Sequence, residues 1–298
     1  VATFFTFDQL QHFPALTPSA RLAVIGDPIS HSKSPQMHNP ALQACGIEAQ
    51  YVRVQVPIGH VQEAFGLFQR QGFLGVNITI PHKFEALNAV DVIDPLARQL
   101  GAVNTLAIRD GKLLGYNTDG PGFLRSVQEA FAAEVKDLRI LIIGAGGGAG
   151  RAVAVQSVLA GCKSLLLANR TESKLQPLLT ELHQSSNGEA TLKTCSLDAD
   201  DLAKHLSEID LIVNATSLGM KAEDNTLLPA GCLESRHLVY DMVYRANEPT
   251  HLIQQAKAVG AKQADGMCLL LHQGAISFEH WFDEPAPIEA MRAGLLSA

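Results

Sequence analysis

Short apolar runs alternate along the chain with stretches whose apolar residues recur at helical spacing. Residues 22–25 predict a buried strand, and Ser34 with Pro35 behind it predicts a capped helix over residues 34–45. Residues 51–56 alternate as a strand, 61–70 are helical, and 74–80 return as a strand that Pro81 stops. This βαβα order calls for a mostly parallel sheet in the first third of the chain. A short helix at 94–100, a hairpin of 102–109 and 112–116 about Asp110-Gly111, and a helix at 123–131 come next. Strands at 140–143, 165–168, 211–214, 238–241 and 262–264 then alternate with helices from Gly148 onward, at 172–184, near 201–206 and at 249–259, with a polar loop through Gly188. Helices at 267–282 and 287–295 are expected to pack back on the first sheet, whose two faces must both be covered. Ahead of all this, residues 8–13 allow only a short helix, because Pro14 and Pro18 break anything longer.

The pattern is densest in chemistry where the apolar run 140–143 meets Gly144-Ala145-Gly146-Gly147-Gly148-Ala149-Gly150. A strand that turns through glycines into a helix of small residues lets backbone N–H groups and the helix dipole approach a pyrophosphate. The spacing reads as either GxGxxA or GxGxxxG. The tip of the next strand carries no acid; it carries Asn169-Arg170-Thr171, with Lys174 a turn later. Two cations there suit a ribose 2′-phosphate, so the expected cofactor is NADP rather than NAD. Residues 215–220, including Thr216 and Ser217, should lie at a strand's C-terminal edge facing the nicotinamide half.

Composition narrows the partners. The chain has 298 residues, enough for two domains. A formal net charge of −7 with no local Lys/Arg cluster argues against nucleic acid. No apolar run is long enough for a membrane span and no basic residue precedes Arg21, so a cytoplasmic protein without a signal peptide is expected. Five scattered cysteines and eleven histidines show neither CxxC nor HExxH spacing, which predicts no disulfide framework and no metal.

Four further residues carry candidate chemistry. Ser32 and Ser34 sit at a helix N-terminus, where they serve as caps or bind an anion such as a carboxylate. Lys83 begins a helix at the C-terminal edge of the first sheet; a cation there opposes the helix dipole, which favours a functional role. Asp119 falls near the junction of the two domains and is placed to cap the helix that follows as well as to face a ligand.

Taken together, HSKSP at residues 31–35, NITIPHK at 77–83, GAVNT at 101–105, NTDG at 117–120, the glycine loop, NRT at 169–171, NATS at 214–217, YDMVY at 240–244 and Gln273 resemble the shikimate dehydrogenase family, in order and over nearly the whole chain. The resemblance implies an α/β protein of two domains. Residues 1–119 with 266–298 would form the substrate domain and 120–265 a Rossmann-type NADP domain. It implies NADPH-dependent reduction of 3-dehydroshikimate to shikimate, a small-molecule substrate, and a monomer or homodimer. Lys83 and Asp119 resemble the catalytic pair, and Ser32 and Ser34 the carboxylate pair. Asn77, Thr79, Asn104, Tyr244 and Gln273 resemble groups around the ring hydroxyls, and Asn169, Arg170, Thr171 and Lys174 the 2′-phosphate site. Two departures stand out: the glycine loop is one residue longer than the family's usual form, and Cys268 and Leu269 replace the usual Gly and Met beside the nicotinamide. The alternatives are a quinate-oxidising paralogue, disfavoured by the intact Ser34, and a non-catalytic NADP-binding module, disfavoured by the retained Lys83 and Asp119.

Overall fold

The computed structural model describes residues 4–185, 190–245 and 248–297, so the loop expected through Gly188 lies outside the described residues. The chain divides into two compact units, Val1–Gly122 with Leu270–Ala298, and Phe123–Leu269.

The elements of the first unit begin with β1 (Phe4–Thr6), α1 (Phe7–Gln11), β2 (Ala20–Gly26), α2 (Ser34–Ala44), β3 (Gln50–Gln55), α3 (Val61–Arg70) and β4 (Gly75–Ile78). They continue with α4 (Lys83–Leu87), β5 (Val92–Ile93), α5 (Pro95–Leu100), β6 (Thr105–Arg109) and β7 (Lys112–Tyr116). The sheet has seven strands in the order β1-β3-β2-β4-β6-β7-β5. β1, β3, β2 and β4 pair in parallel, whereas β6 runs antiparallel to both β4 and β7. That reversal matters for the site. With β6 inverted, residues entering β6 and residues leaving β7 reach the same sheet edge as residues leaving β2 and β4.

Helix α6 (Asp119–Phe131) leads into the second unit. There β8 (Arg139–Ile143), α7 (Gly148–Leu159), β9 (Ser164–Ala168), α8 (Leu175–Ser185), β10 (Thr191–Cys195) and α9 (Ala199–His205) precede β11 (Leu211–Asn214), β12 (Leu238–Asp241), α10 (His251–Ala258) and β13 (Lys262–Ala264). All pairings are parallel, in the order β10-β9-β8-β11-β12-β13. This is the doubly wound dinucleotide order, with its reversal between β8 and β11. Ile140 to Ile143 and Leu211 to Val213 are fully buried, as strands covered on both faces require.

The chain ends in α11 (Gly266–Phe282) and α12 (Ile288–Leu296). Within the first unit, α12 lies along α2, and any Cβ at Gly294 would overlap the Gln36 carbonyl. Trp281 fills the space above Gly75 and donates through Nε1 to the Leu106 carbonyl at 2.9 Å. The C-terminal helices thus cover the sheet face that the sequence left bare. No described helix is long and apolar enough to cross a membrane.

Two sequence expectations are corrected. Ser34 does not cap α2: Lys33 occupies the cap position without a side-chain capping bond to the helix, and Ser34 is the first helical residue. It is the Ser32 hydroxyl that accepts from the Ser34 N–H, at 3.3 Å. Nor does Asp119 cap α6. The Asn117 side-chain Oδ1 accepts from the N–H groups of Asp119 and Gly120, at 3.1 and 3.3 Å, and the Asp119 carboxylate is left for another partner.

Candidate active site

In the first unit that partner is Lys83. Its Nζ donates to Asp119 Oδ2 at 2.7 Å, and both side chains are partly open to solvent. The lysine is set by its neighbours at the start of α4. The buried His82 ring meets the Val56 carbonyl at 2.7 Å, and the Lys83 carbonyl accepts from Val103 N–H at 3.0 Å. A lysine in a helix's first turn gains nothing from the dipole, so the Asp119 carboxylate is what holds the ammonium in place.

Asn77, at the end of β4, and Asn104, just before β6, lie in one buried network on the same unit. The Asn77 amide donates to Thr105 Oγ1 at 3.1 Å and Ser277 Oγ at 2.9 Å, and its oxygen accepts from the Tyr51 hydroxyl at 2.7 Å. Asn104 donates to Thr118 Oγ1 at 3.0 Å and accepts from Thr118 N–H at 2.7 Å. Thr79 is half-buried, its N–H donating to the Ile25 carbonyl. Gln273, on α11, is buried with Nε2 donating to the Leu270 carbonyl; a Cβ on Gly122 would lie 2.8 Å from Gln273 N. Ser32 and Ser34 follow β2, with their hydroxyl oxygens 3.2 Å apart. Tyr51, Thr105, Thr118 and Ser277 were not singled out from sequence. Thr118 sits inside NTDG, and Tyr51 belongs to an alternating strand whose polar face turns out to be buried.

Tyr244 belongs to the second unit. Burial, and secondarily the Asp265 carboxylate, hold its phenol above the ordinary range. Burial likewise pushes the Asp265 and Asp241 carboxyls up, Asp241 despite accepting from Thr250 Oγ1 and Asn214 Nδ2.

The glycine loop follows β8, and the 215–220 stretch follows β11, on the two sides of the strand-order reversal. They meet: Gly144 has φ +88°, and a Cβ there would lie 2.6 Å from Thr216 Cγ2. The N–H groups of Gly144 and Ala145 both donate to the Ala168 carbonyl, which leaves residues 146–149 as the accessible backbone. Gly147 caps α7 with its own N–H donating to the Gly144 carbonyl at 3.0 Å, and Gly148 and Ala149 begin the helix, so the N–H groups of these two have no acceptor in a preceding turn. At Gly150 a Cβ would lie 2.8 Å from Ala145 Cα, so this third glycine permits close helix–strand packing and the spacing is GxGxxxG. Asn169 donates to the Thr171 carbonyl at 2.8 Å and lies under Gly146, while Arg170, Thr171 and Lys174 are exposed beside it. Thr216 is occupied locally, its hydroxyl bound to Asn214 Oδ1 at 2.7 Å; Ser217 is exposed. A cradle closed to a Cβ at Gly144, Gly146 and Gly150, with two open cations at the neighbouring strand tip, fits a phosphorylated dinucleotide. Cys268 points its sulfur at the Ser126 carbonyl, 3.9 Å away.

Comparison with known proteins gives the same division. Residues 24–106 match the shikimate dehydrogenase substrate binding domain, 125–225 the shikimate / quinate 5-dehydrogenase model, and 269–296 the shikimate 5'-dehydrogenase C-terminal domain. The shikimate dehydrogenase (NADP(+)) of Symbiobacterium thermophilum is 38% identical over 94% of this chain and 95% of its own. The chain belongs to the shikimate dehydrogenase family. Among solved shikimate dehydrogenases, one crystallised with NADP+ superimposes with a TM-score of 0.85 at 36% identity, covering 94% of this chain and 95% of the other. The enzyme of Thermus thermophilus in complex with NADP(H) and shikimate gives 0.81 at 34% identity, covering 93% and 98%.

Proposed function

We infer that this chain catalyses the reversible, NADP(H)-dependent interconversion of 3-dehydroshikimate and shikimate. The observation that carries the reading, beside the family match, is the Lys83–Asp119 pair at 2.7 Å among hydroxyl-binding amides. NADPH supplies the hydride. Reduction leaves developing negative charge on the ketone oxygen, and the Lys83 ammonium both stabilises that charge and delivers a proton to it. Asp119 orients the ammonium, and once Lys83 has given its proton to the substrate oxygen the carboxylate helps a solvent proton return to the amine. Ser32 and Ser34 take the substrate carboxylate, and Thr79, Asn104, Gln273 and Tyr244 take ring hydroxyls. Asn77 also belongs to this set, although its amide is already engaged by Tyr51, Thr105 and Ser277. In the cradle, Gly146, Gly148 and Ala149 offer N–H groups to the pyrophosphate and Gly147 leaves it room, Asn169, Arg170, Thr171 and Lys174 hold the 2′-phosphate, and Thr216 and Ser217 stand at the nicotinamide end.

The test is the initial rate of NADP or NAD reduction with shikimate or quinate, in all four combinations. A dominant shikimate–NADP rate is expected. A dominant quinate rate would retain the fold and the acid–base pair but overturn the substrate assignment. Absence of turnover in all four, with NADP still bound, would overturn the enzymatic reading altogether.

A further inference from the structure

On β3, Tyr51, Arg53 and Gln55 alternate with Val52, Val54 and, just beyond the strand, Val56. Such alternation ordinarily sets an apolar face against a wet one. The three valines do lie in the core, but the opposite face is not wet: Tyr51 is fully buried and Arg53 is only 8% exposed. A charge withdrawn from water is costly unless its protons meet acceptors, so what this guanidinium holds is informative. Its Nε donates to the Ser32 carbonyl at 2.7 Å and its Nη2 to Gln36 Oε1 at 2.8 Å. Both acceptors belong to the turn and first helical residues that carry the Ser32 and Ser34 hydroxyls. The same strand face approaches Ser34 again through the Tyr51 hydroxyl.

We propose that Arg53 is a positioning and specificity-determining residue, which fixes the Ser32–Ser34 turn from behind and makes this subsite select a carboxylate over a neutral group. Two serine hydroxyls can donate to the oxygens of a carboxylate or of its ester, and although the ionised acceptor takes the stronger bonds, neutral donors alone do not exclude the ester. A fixed positive charge in a poorly solvated place separates the two, since its attraction is screened far less there than in water. Burial lowers the guanidinium pKa, but arginine starts so high that the charge persists at neutrality. The inference rests on the reading of Ser32 and Ser34 as the carboxylate pair.

The experiment compares kcat/KM for shikimate and for its methyl ester in the wild-type enzyme and in Arg53→Met, Arg53→Lys and Ser34→Ala. Arg53→Met should lower kcat/KM for shikimate by about tenfold or more through KM, and that for the ester by less than about threefold, as loss of a charge-dependent contact requires. The KM for NADP should not move. Arg53→Lys should keep the acid-over-ester preference even where both rates fall, which preserves the test if the methionine variant does not fold. Equal losses for acid and ester in Arg53→Met, or a collapsed preference in Arg53→Lys, would overturn the proposal. If Ser34→Ala weakens shikimate while Arg53→Met leaves the preference intact, Arg53 alone is wrongly assigned. If Ser34→Ala weakens neither compound, the carboxylate reading falls and Arg53 with it.

Discussion

Lys83 depends on a capping choice made elsewhere. Asn117 takes the capping duty at the start of α6, and the Asp119 carboxylate is therefore left to bind the ammonium. Replacing Lys83 with alanine should lower kcat by about 10²–10⁴-fold with a much smaller change in KM, the signature of a group used chiefly in the transition state. Turnover within a few-fold of wild type would remove Lys83 from the mechanism. A second residue makes a prediction about stability. His38 is wholly buried, stacked flat on Tyr51 with ring centroids 4.4 Å apart, and burial lowers its pKa to about 3 from 6.5. Its native pKa is depressed, so the unfolded chain binds the extra proton between those values. Stability is therefore full above about pH 6.5 and falls as the pH drops toward 3, by up to about 1.4 kcal/mol per pH unit. Urea unfolding of wild type and His38→Phe, which keeps the stacked ring, should give a difference that varies with pH in that window. A difference independent of pH would mean that His38 protonates within the fold.

At the scale of elements, the β8–α7 turn separates glycines by function. Gly150 packs against Ala145 with no room for a Cβ, whereas at Gly147, on the exposed cap, the nearest atom to an added Cβ is 3.4 Å away. Gly150→Ala should destabilise the protein by about 1–3 kcal/mol through overpacking. Gly147→Ala should leave stability nearly unchanged and weaken NADP, because the methyl group stands where the pyrophosphate approaches. Thermal unfolding and the KM for NADP, measured on both variants, separate the two effects; equal unfolding temperatures would refute the packing role of Gly150. Which elements were legible follows from the same physics. β8, β9, β11, β12 and β13 are central or short parallel strands, and apolar runs or clear punctuation marked each of them. β10 escaped notice because it is an edge strand, with exposed Thr191, Lys193 and Thr194 that carry no strand-like alternation. β1 is only three residues long and gains its place by pairing with β3. The motif residues Lys83, Asp119, Ser32 and Ser34 were legible because they sit at element ends. Ser277 and Tyr51 were not, because what defines them is a contact with Asn77, from 200 and 26 positions away.

For the whole molecule, the residues proposed for cofactor phosphate belong to one compact unit, and those for the acid–base pair and substrate carboxylate to the other. Effects on the two ligands should accordingly be separable. Arg170→Ala should raise the KM for NADP by about tenfold or more while leaving the KM for shikimate within about threefold, and should leave any rate with NAD unchanged. Parallel losses for NADP and shikimate would refute the 2′-phosphate assignment. The first unit is also interrupted: its sheet comes from Val1–Gly122, but the helices that close it come from Leu270–Ala298. On a translating ribosome, the whole of Phe123–Leu269 must be made in between. At about 5–20 residues per second, the recess above Gly75 and the surface of α2 would wait roughly 7–30 s for Trp281 and Gly294. Of the two units, the one whose synthesis begins first is thus the last to be completed, and during that wait its bare apolar face is what the nascent chain offers to chaperones.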